Sequence, residues 1–168
     1  MNNIIITGDI NSGKSTSLLN SLYILEKNKR EKIGGIICRP YFKDNNKYYN
    51  VLELSSGNEY FLNTYSDSEI TVEIGRFKLL KSSLNKMNNA IIKDIENKKI
   101  IIIDEFGRLE LNGNGLIKGI LYALDSKKNL IIIIRENIID KALKIINRPH
   151  RNTKIIKDNI IDNLKELF

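Results

Sequence analysis

The stretch that most constrains this chain is Gly8-Asp9-Ile10-Asn11-Ser12-Gly13-Lys14-Ser15, which has the pattern G-x-x-x-x-G-K-[ST] of a phosphate-binding P-loop. It follows the apolar run Ile4-Ile5-Ile6 and precedes residues 17–25, where apolar residues recur at helical spacing, so strand, loop and helix stand in the required order. The chemistry explains the spacing. Gly8 and Gly13 let the backbone turn without a Cβ in the way, so that successive N–H groups and the following helix N-terminus point at phosphate oxygens. Lys14 adds a mobile point charge. Ser15 can offer its hydroxyl to a Mg²⁺ that bridges the β- and γ-phosphates, and Thr16 is a further donor nearby. The expected nucleotide-binding set is therefore Gly8, Asp9, Ile10, Asn11, Ser12, Gly13, Lys14, Ser15 and Thr16.

A P-loop of this kind needs a sheet behind it. Short apolar runs rich in β-branched residues occur at Asn3–Thr7, Lys32–Cys38, Lys99–Ile103, Leu130–Ile134 and Thr153–Ile156, and near-continuous apolar strands suit a parallel sheet covered on both faces. Helical patterns lie between them, at 14–28, 79–97, 114–126 and 137–147, and a last one at 158–167 closes the chain. This alternation predicts an α/β P-loop domain, a three-layer α/β/α sandwich around a mainly parallel five-stranded sheet with right-handed crossovers. At 168 residues the whole chain, 1–168, reads as one domain. Residues 41–79 break the alternation. Lys47–Leu54 and Glu59–Leu62 flank the turn Ser55-Ser56-Gly57-Asn58, and a third strand is expected near 70–77, so a small antiparallel insertion beside the nucleotide site is predicted. Its tyrosines either stack on a base or cover a local mini-core.

The run Ile100-Ile101-Ile102-Ile103 ends in Asp104-Glu105. An acidic residue ending a buried strand is costly unless it lies at the sheet's carboxyl edge with a partner, and that edge is where open α/β folds bind ligands. Asp104 fits a Walker B aspartate that holds Mg²⁺ together with Ser15, and Glu105 is placed to polarise a water for attack on the γ-phosphate. A glutamate directly after that aspartate goes with one strand inserted between the P-loop strand and the Walker B strand, giving the RecA-like order 2-3-4-1-5. The inserted strand ends in Arg135-Glu136. Arg135 is then either a catalytic sensor or charge stabiliser or a strand-end arginine paired with Glu136 or Asp104. Catalytic candidates are thus Glu105, Lys14 and Arg135; metal candidates are Ser15 and Asp104.

Composition adds bounds. Lys and Arg total 27 against 20 Asp and Glu, a formal charge of +7, yet the lysines are scattered and form no arginine-rich arm. A solvated surface and an anionic nucleotide account for this more simply than nucleic acid does. The single Cys38 cannot form an intramolecular disulfide and reads as a packed small residue. No basic n-region precedes the first strand and no run reaches the length of a membrane span, so a cytoplasmic protein without a membrane partner is expected. His150 lies in a basic turn, Arg148-Pro149-His150-Arg151, and reads as a surface residue.

Taken together, Ile4–Gly8 with Gly13-Lys14-Ser15, then Gly34-Gly35-Ile36-Ile37, then Asp104-Glu105-Phe106-Gly107-Arg108-Leu109-Glu110-Leu111, resemble the THEP1-type nucleoside-triphosphatase family. The likeness spans nearly the whole chain, and the Walker B extension is its most specific part. It implies Mg²⁺-dependent hydrolysis of ATP, GTP and other nucleoside triphosphates, with Lys14, Ser15, Asp104 and Glu105 in the roles already argued. The family often continues its second strand as Thr-x-Glu-Val-Arg, where this chain has Cys38-Arg39-Pro40-Tyr41 and only Arg39 is a counterpart. For Glu110 the expectation is an ion pair with a lysine or with Arg108. A phosphohydrolase is the leading functional expectation. The alternatives are a nucleotide or small-molecule kinase with its acceptor pocket under the insertion, and a nucleotide-gated module acting on a protein or RNA partner.

Overall fold

A computed structural model of the chain describes residues 1–9, 11–67 and 69–168. The first strand, β1 (Asn2–Gly8), leads through the P-loop into α1 (Lys14–Ile24) and the short α2 (Lys27–Arg30). Next come β2 (Ile33–Lys43), β3 (Asn46–Glu53), β4 (Glu59–Phe61), β5 (Asn63–Thr64), β6 (Thr71–Ile74) and β7 (Phe77–Leu80). The long helix α3 (Lys81–Asn97) returns the chain to β8 (Ile100–Phe106), followed by α4 (Arg108–Leu111), α5 (Ile117–Asp125) and β9 (Asn129–Arg135). A 3₁₀ turn (Glu136–Ile138), α6 (Ile139–Ile146), β10 (Asn152–Ile156) and α7 (Ile160–Lys165) complete it.

The main sheet has the order β10-β1-β9-β8-β2-β3-β4. Its first five strands are parallel and stand in the 2-3-4-1-5 order expected from the sequence. Period-2 side-chain alternation explains why each apolar run is continuous: both faces are covered. Ile4, Ile6, Ile100, Ile102, Ile131 and Ile133 pack with Leu18, Leu22, Ile160 and Leu164 on the α1 and α7 side. Ile5, Ile101, Ile103, Ile132 and Ile134 pack with Met87, Ile91, Ile120 and Ile146 on the opposite side, under α3, α5 and α6.

The insertion differs in detail from the expectation. β2 does not end at Cys38. After Ile36, its last partner on β8, it continues to Lys43 and pairs along its length with β3, from Ile36 opposite Glu53 to Lys43 opposite Asn46. The connecting residues Asp44 and Asn45 both have positive φ, 49° and 59°, which is the backbone of a tight hairpin turn. The Ser55–Asn58 turn joins β3 to β4 as predicted, so this hairpin extends the main sheet by two antiparallel strands. The single strand expected near 70–77 is instead two strands, β6 and β7, hinged at Gly75-Arg76; with β5 they form a separate three-stranded sheet.

A polar clip locks β2 to the helical layer. The buried Asp94 of α3 accepts the Gly35 N–H at 2.7 Å and the Ser55 hydroxyl at 2.6 Å. Both glycines of Gly34-Gly35 are required by this arrangement: a Cβ on Gly34 would lie 2.5 Å from Asp94 Oδ2, and one on Gly35, where φ is +96°, would lie 2.0 Å from the Ile102 carbonyl oxygen. Gly35→Ala is therefore expected to cost about 3 kcal/mol or more of folding stability, read as the shift of a chemical denaturation midpoint.

Candidate functional site

The parallel sheet order brings the carboxyl ends of β1, β8 and β9 to one edge. Gly8 is the register partner of Arg135 on β9, and Asp104 on β8 is opposite Ile133, so the P-loop and the acidic pair lie on either side of β9. The P-loop begins at Gly8 and ends at Gly13, which takes a left-handed conformation with φ 81° at the start of α1. Lys14 folds back over this turn. Its ammonium donates to the Asp9 carbonyl at 2.6 Å, the Gly8 carbonyl at 3.1 Å and Ser12 Oγ at 3.2 Å. Ile10 lies outside the described residues.

Asp104 is buried and is the junction of three segments. The Cys38 N–H donates to Oδ2 at 2.9 Å, the Cys38 thiol donates to the Asp104 carbonyl oxygen at 3.1 Å, and the nearby Ser15 hydroxyl favours the charged form of the carboxyl. Burial pushes the Asp104 carboxyl up to about 7, against the opposing pull of Ser15, the Cys38 N–H and the Lys14 charge. Burial likewise pushes the Cys38 thiol up, with Asp104 and Glu105 adding to the effect, so this cysteine is packed and protonated rather than nucleophilic.

Ser15 and Asp104 together fit a hard divalent cation. The donors are a hydroxyl and a carboxylate, oxygen only, and among the described residues no cluster of three or more His, Cys, Asp or Glu side chains forms a cage. That suits Mg²⁺, which keeps several waters and shares its remaining positions with phosphate oxygens. A buried carboxylate whose charged form is disfavoured is also the group that gains most from a cation beside it.

Glu105 steps out of the ladder, because the β8–β9 register shifts between Asp104 and Phe106. Arg135 pairs with it: Nε donates to Oε1 at 2.8 Å and a second guanidinium nitrogen bonds the same oxygen. Burial pulls the Arg135 pKa down, but the Glu105 contact outweighs it and holds the guanidinium above its ordinary value. Arg135 thus meets neither Glu136, which pairs with Lys157, nor Asp104. Oε2 of Glu105 has no hydrogen-bond partner among the described residues.

The ion pair expected for Glu110 is not formed. Its carboxylate is buried and accepts two backbone N–H groups, Gly107 on Oε2 and Leu116 on Oε1, both at 2.8 Å, so it caps α4 and pins the loop after it. Burial raises its pKa, while these two N–H donors oppose the shift. Arg39 pairs with Glu59 at 2.8 Å, and His150 is exposed as expected.

These groups line one cleft of about 540 Å³. Asn11, Ser12, Gly13, Lys14, Ser15 and Thr16 form its P-loop wall, and Asp104, Glu105 and Arg135 form its sheet edge. Gly8 and Asp9 lie at the base of the loop, outside the lining. Sequence reasoning did not single out Lys47, whose ammonium reaches from the β2–β3 hairpin to Asn11 Oδ1 at 3.2 Å, nor Arg76 and Arg108, which also line the cleft. Nothing in the sequence marks Lys47 and Arg76 out from the other basic residues, and the path of the insertion brings them here; Arg108 belongs to the Walker B extension and reaches the cleft from the start of α4.

A P-loop on an α/β sheet, with a metal-competent aspartate and a water-facing glutamate on a neighbouring strand, defines a P-loop nucleoside-triphosphate-binding protein. A family model described as NTPase matches residues 3–165, and the chain belongs to that family, the THEP1-type nucleoside-triphosphatases. The chain is 25% identical over 136 residues to the nucleoside-triphosphatase THEP1 of Methanopyrus kandleri, covering 80% of this chain and 73% of that protein. It is 22% identical over 157 residues to the THEP1 of Methanosarcina barkeri, covering 93% and 87%. Its fold is similar to the crystal structure of THEP1 from Aquifex aeolicus, with a TM-score of 0.68 at 17% identity over 99% of this chain and 96% of that one. It is also similar to the solution structure of a human cancer-related nucleoside triphosphatase, with a TM-score of 0.66 at 15% identity over 99% and 95%.

Glu110→Ala leaves the Gly107 and Leu116 N–H groups buried without acceptors, which is expected to cost about 2–4 kcal/mol. Thermal unfolding of the variant against the wild type reads it.

Proposed function

We propose that the chain is a Mg²⁺-dependent nucleoside-triphosphate phosphohydrolase, converting a triphosphate and water to a diphosphate and phosphate. The observation that carries this is the convergence of Lys14, Ser15, Asp104 and Glu105 on one cleft, with Oε2 of Glu105 unpartnered and Oε1 held by Arg135. The family and the printed names of its relatives support the same activity.

In this reading the P-loop N–H groups and the α1 N-terminus hold the β- and γ-phosphates. Lys14 exchanges its loop acceptors for phosphate oxygens and offsets their charge. Ser15 and Asp104 would hold the metal, which would supply positive charge beside the phosphates. Glu105 orients the attacking water through Oε2. Bond-making lags bond-breaking in a loose transition state, so positioning that water matters more than removing its proton early. Arg135 is a positioning residue that fixes the Glu105 rotamer. Broad base tolerance, with ATP and GTP among the substrates, is part of this reading and follows the family likeness. A cytoplasmic setting fits the lone reduced cysteine, and no helix among the described residues is long and apolar enough to cross a membrane.

The test is Mg²⁺-dependent phosphate release from ATP, GTP, CTP and UTP. Turnover of several triphosphates without an acceptor is expected. Glu105→Gln should lower kcat by about 10²–10⁴-fold while nucleotide still binds, and Lys14→Ala should lower kcat/KM by a similar factor. Arg135→Ala should lower kcat with KM little changed, and Arg135→Lys should recover part of the loss. A wild type that binds nucleotide but releases no phosphate above the Glu105→Gln background overturns the proposal.

A further inference from the structure

The cleft is larger than the chemistry just described requires. Beyond Glu105, away from the P-loop, it continues into an apolar chamber between α3, the three-stranded sheet and the segment before α5. Leu62, Phe77, Leu79, Leu84, Met87 and Leu116 line it. The floor is well packed, with Met87 1% and Leu116 2% exposed, so the chamber is bounded by core side chains rather than by mobile surface. Water attack on a γ-phosphate draws only on the polar end of the cleft. An apolar wall of this extent serves no step in that reaction.

Two cations stand on the chamber's lining. Arg76, at the β6–β7 turn, lies with its guanidinium 5.2 Å from the Phe77 ring centroid, and Arg108 opens α4. Neither has a hydrogen-bond or ion-pair partner among the described residues, whereas Arg135 and Arg39 are both paired. Placing two unpaired guanidinium groups beside an apolar pocket favours a ligand that is apolar in its body and anionic at one end, since guanidinium recognises carboxylate and phosphate in the same planar geometry. The whole cleft, polar end and apolar chamber together, has a volume in the range of small-molecule sites, and its apolar lining is gathered at the chamber.

We infer that this chamber is a second ligand site, taking a small molecule with a ring-sized apolar body and a carboxylate or phosphate group, bound alongside the nucleotide. Ring and chamber wall exclude water from each other, and Arg76 with Arg108 receives the anion. The site rests on the chamber's walls and charges and does not depend on hydrolysis. The chamber and the P-loop end open into one cleft, so the ligand would be bound beside the nucleotide.

The test uses the full chain and 2-naphthoate as the probe, with binding measured by equilibrium dialysis in the absence and presence of saturating ADP, and phosphate release from ATP followed separately. The expected result is one saturable site whose affinity ADP leaves within about two-fold, with 2-naphthylmethanol, which lacks the charge, at least about five-fold weaker. Met87→Trp fills the chamber floor and should weaken naphthoate by about ten-fold or more; Leu62→Trp, at a half-buried position, tests the same wall if the Met87 variant does not fold. Arg76→Glu should weaken naphthoate but not naphthylmethanol, and phenyl phosphate in place of naphthoate tells whether the phosphate form binds as well. The inference is overturned if no saturable site exists, if ADP displaces the probe so that the chamber belongs to the nucleotide, or if a folded chamber-filling variant binds naphthoate as the wild type does. Loss of ATP hydrolysis with naphthoate binding intact would sink the phosphohydrolase proposal and leave this one standing.

Discussion

A carboxylate cannot be buried in a parallel sheet unless the surroundings hold its charge, and Asp104 is where this chain meets that constraint. Two segments answer it: the start of α1, through the Ser15 hydroxyl and the Lys14 charge, and β2, through the Cys38 N–H. Each of these contacts also fixes geometry. Ser15 and Asp104, brought together on one cleft, form an oxygen pair that fits a hard divalent cation. Cys38 is tied there by both its N–H and its thiol, which registers the start of the insertion against the nucleotide edge. The cost of one buried charge therefore organises the site as well as the strand ends around it.

The strand between β1 and β8 is the second organiser. With β9 inserted, Arg135 emerges opposite Gly8 and next to Glu105, and the pair forms across the two strand ends. A carboxylate with one oxygen locked by an arginine and the other unpartnered is oriented in advance, which is what the proposed water-positioning role asks of it. Glu110 serves the same edge from below. By accepting the Gly107 and Leu116 N–H groups it fixes the loop that carries Arg108 and the chamber wall.

The insertion turns an open edge into a cleft. Because β2 runs on to Lys43, its hairpin swings over the P-loop, and Lys47 touches Asn11. The β5-β7-β6 sheet then stands opposite α3 and encloses apolar space beside the polar groups. Tyr48 and Tyr41 of the hairpin pack on Phe61, at 5.2 Å and 5.6 Å between ring centroids, and so cover a local cluster, while Tyr49 packs on Phe77 and lines the cleft.

Much of the fold and the polar half of the site was legible in the sequence, since both rest on local chemistry. A P-loop is a run of backbone conformations that glycine permits, continuous β-branched runs state that a strand is covered on both faces, and an acidic pair after such a run has few stable places to go. The strand order followed from the Asp104-Glu105 pair together with the P-loop. What sequence reasoning missed depends on contacts that form only when the chain closes on itself. Glu110 looked like an ion-pairing residue because its donors, the N–H groups of Gly107 and Leu116, meet only when the loop closes. Arg151 looked like part of a surface turn, yet it is buried and donates to the Leu124, Ala123, Ser126 and Lys128 carbonyls and to Asn3. Local backbone and burial rules settled the strands, the P-loop and the acidic edge. Packing alone decided that Arg135 holds Glu105, that Lys47, Arg76 and Arg108 face the cleft, and that an apolar chamber lies beside it, because those contacts join segments that only the crossovers of the sheet bring together.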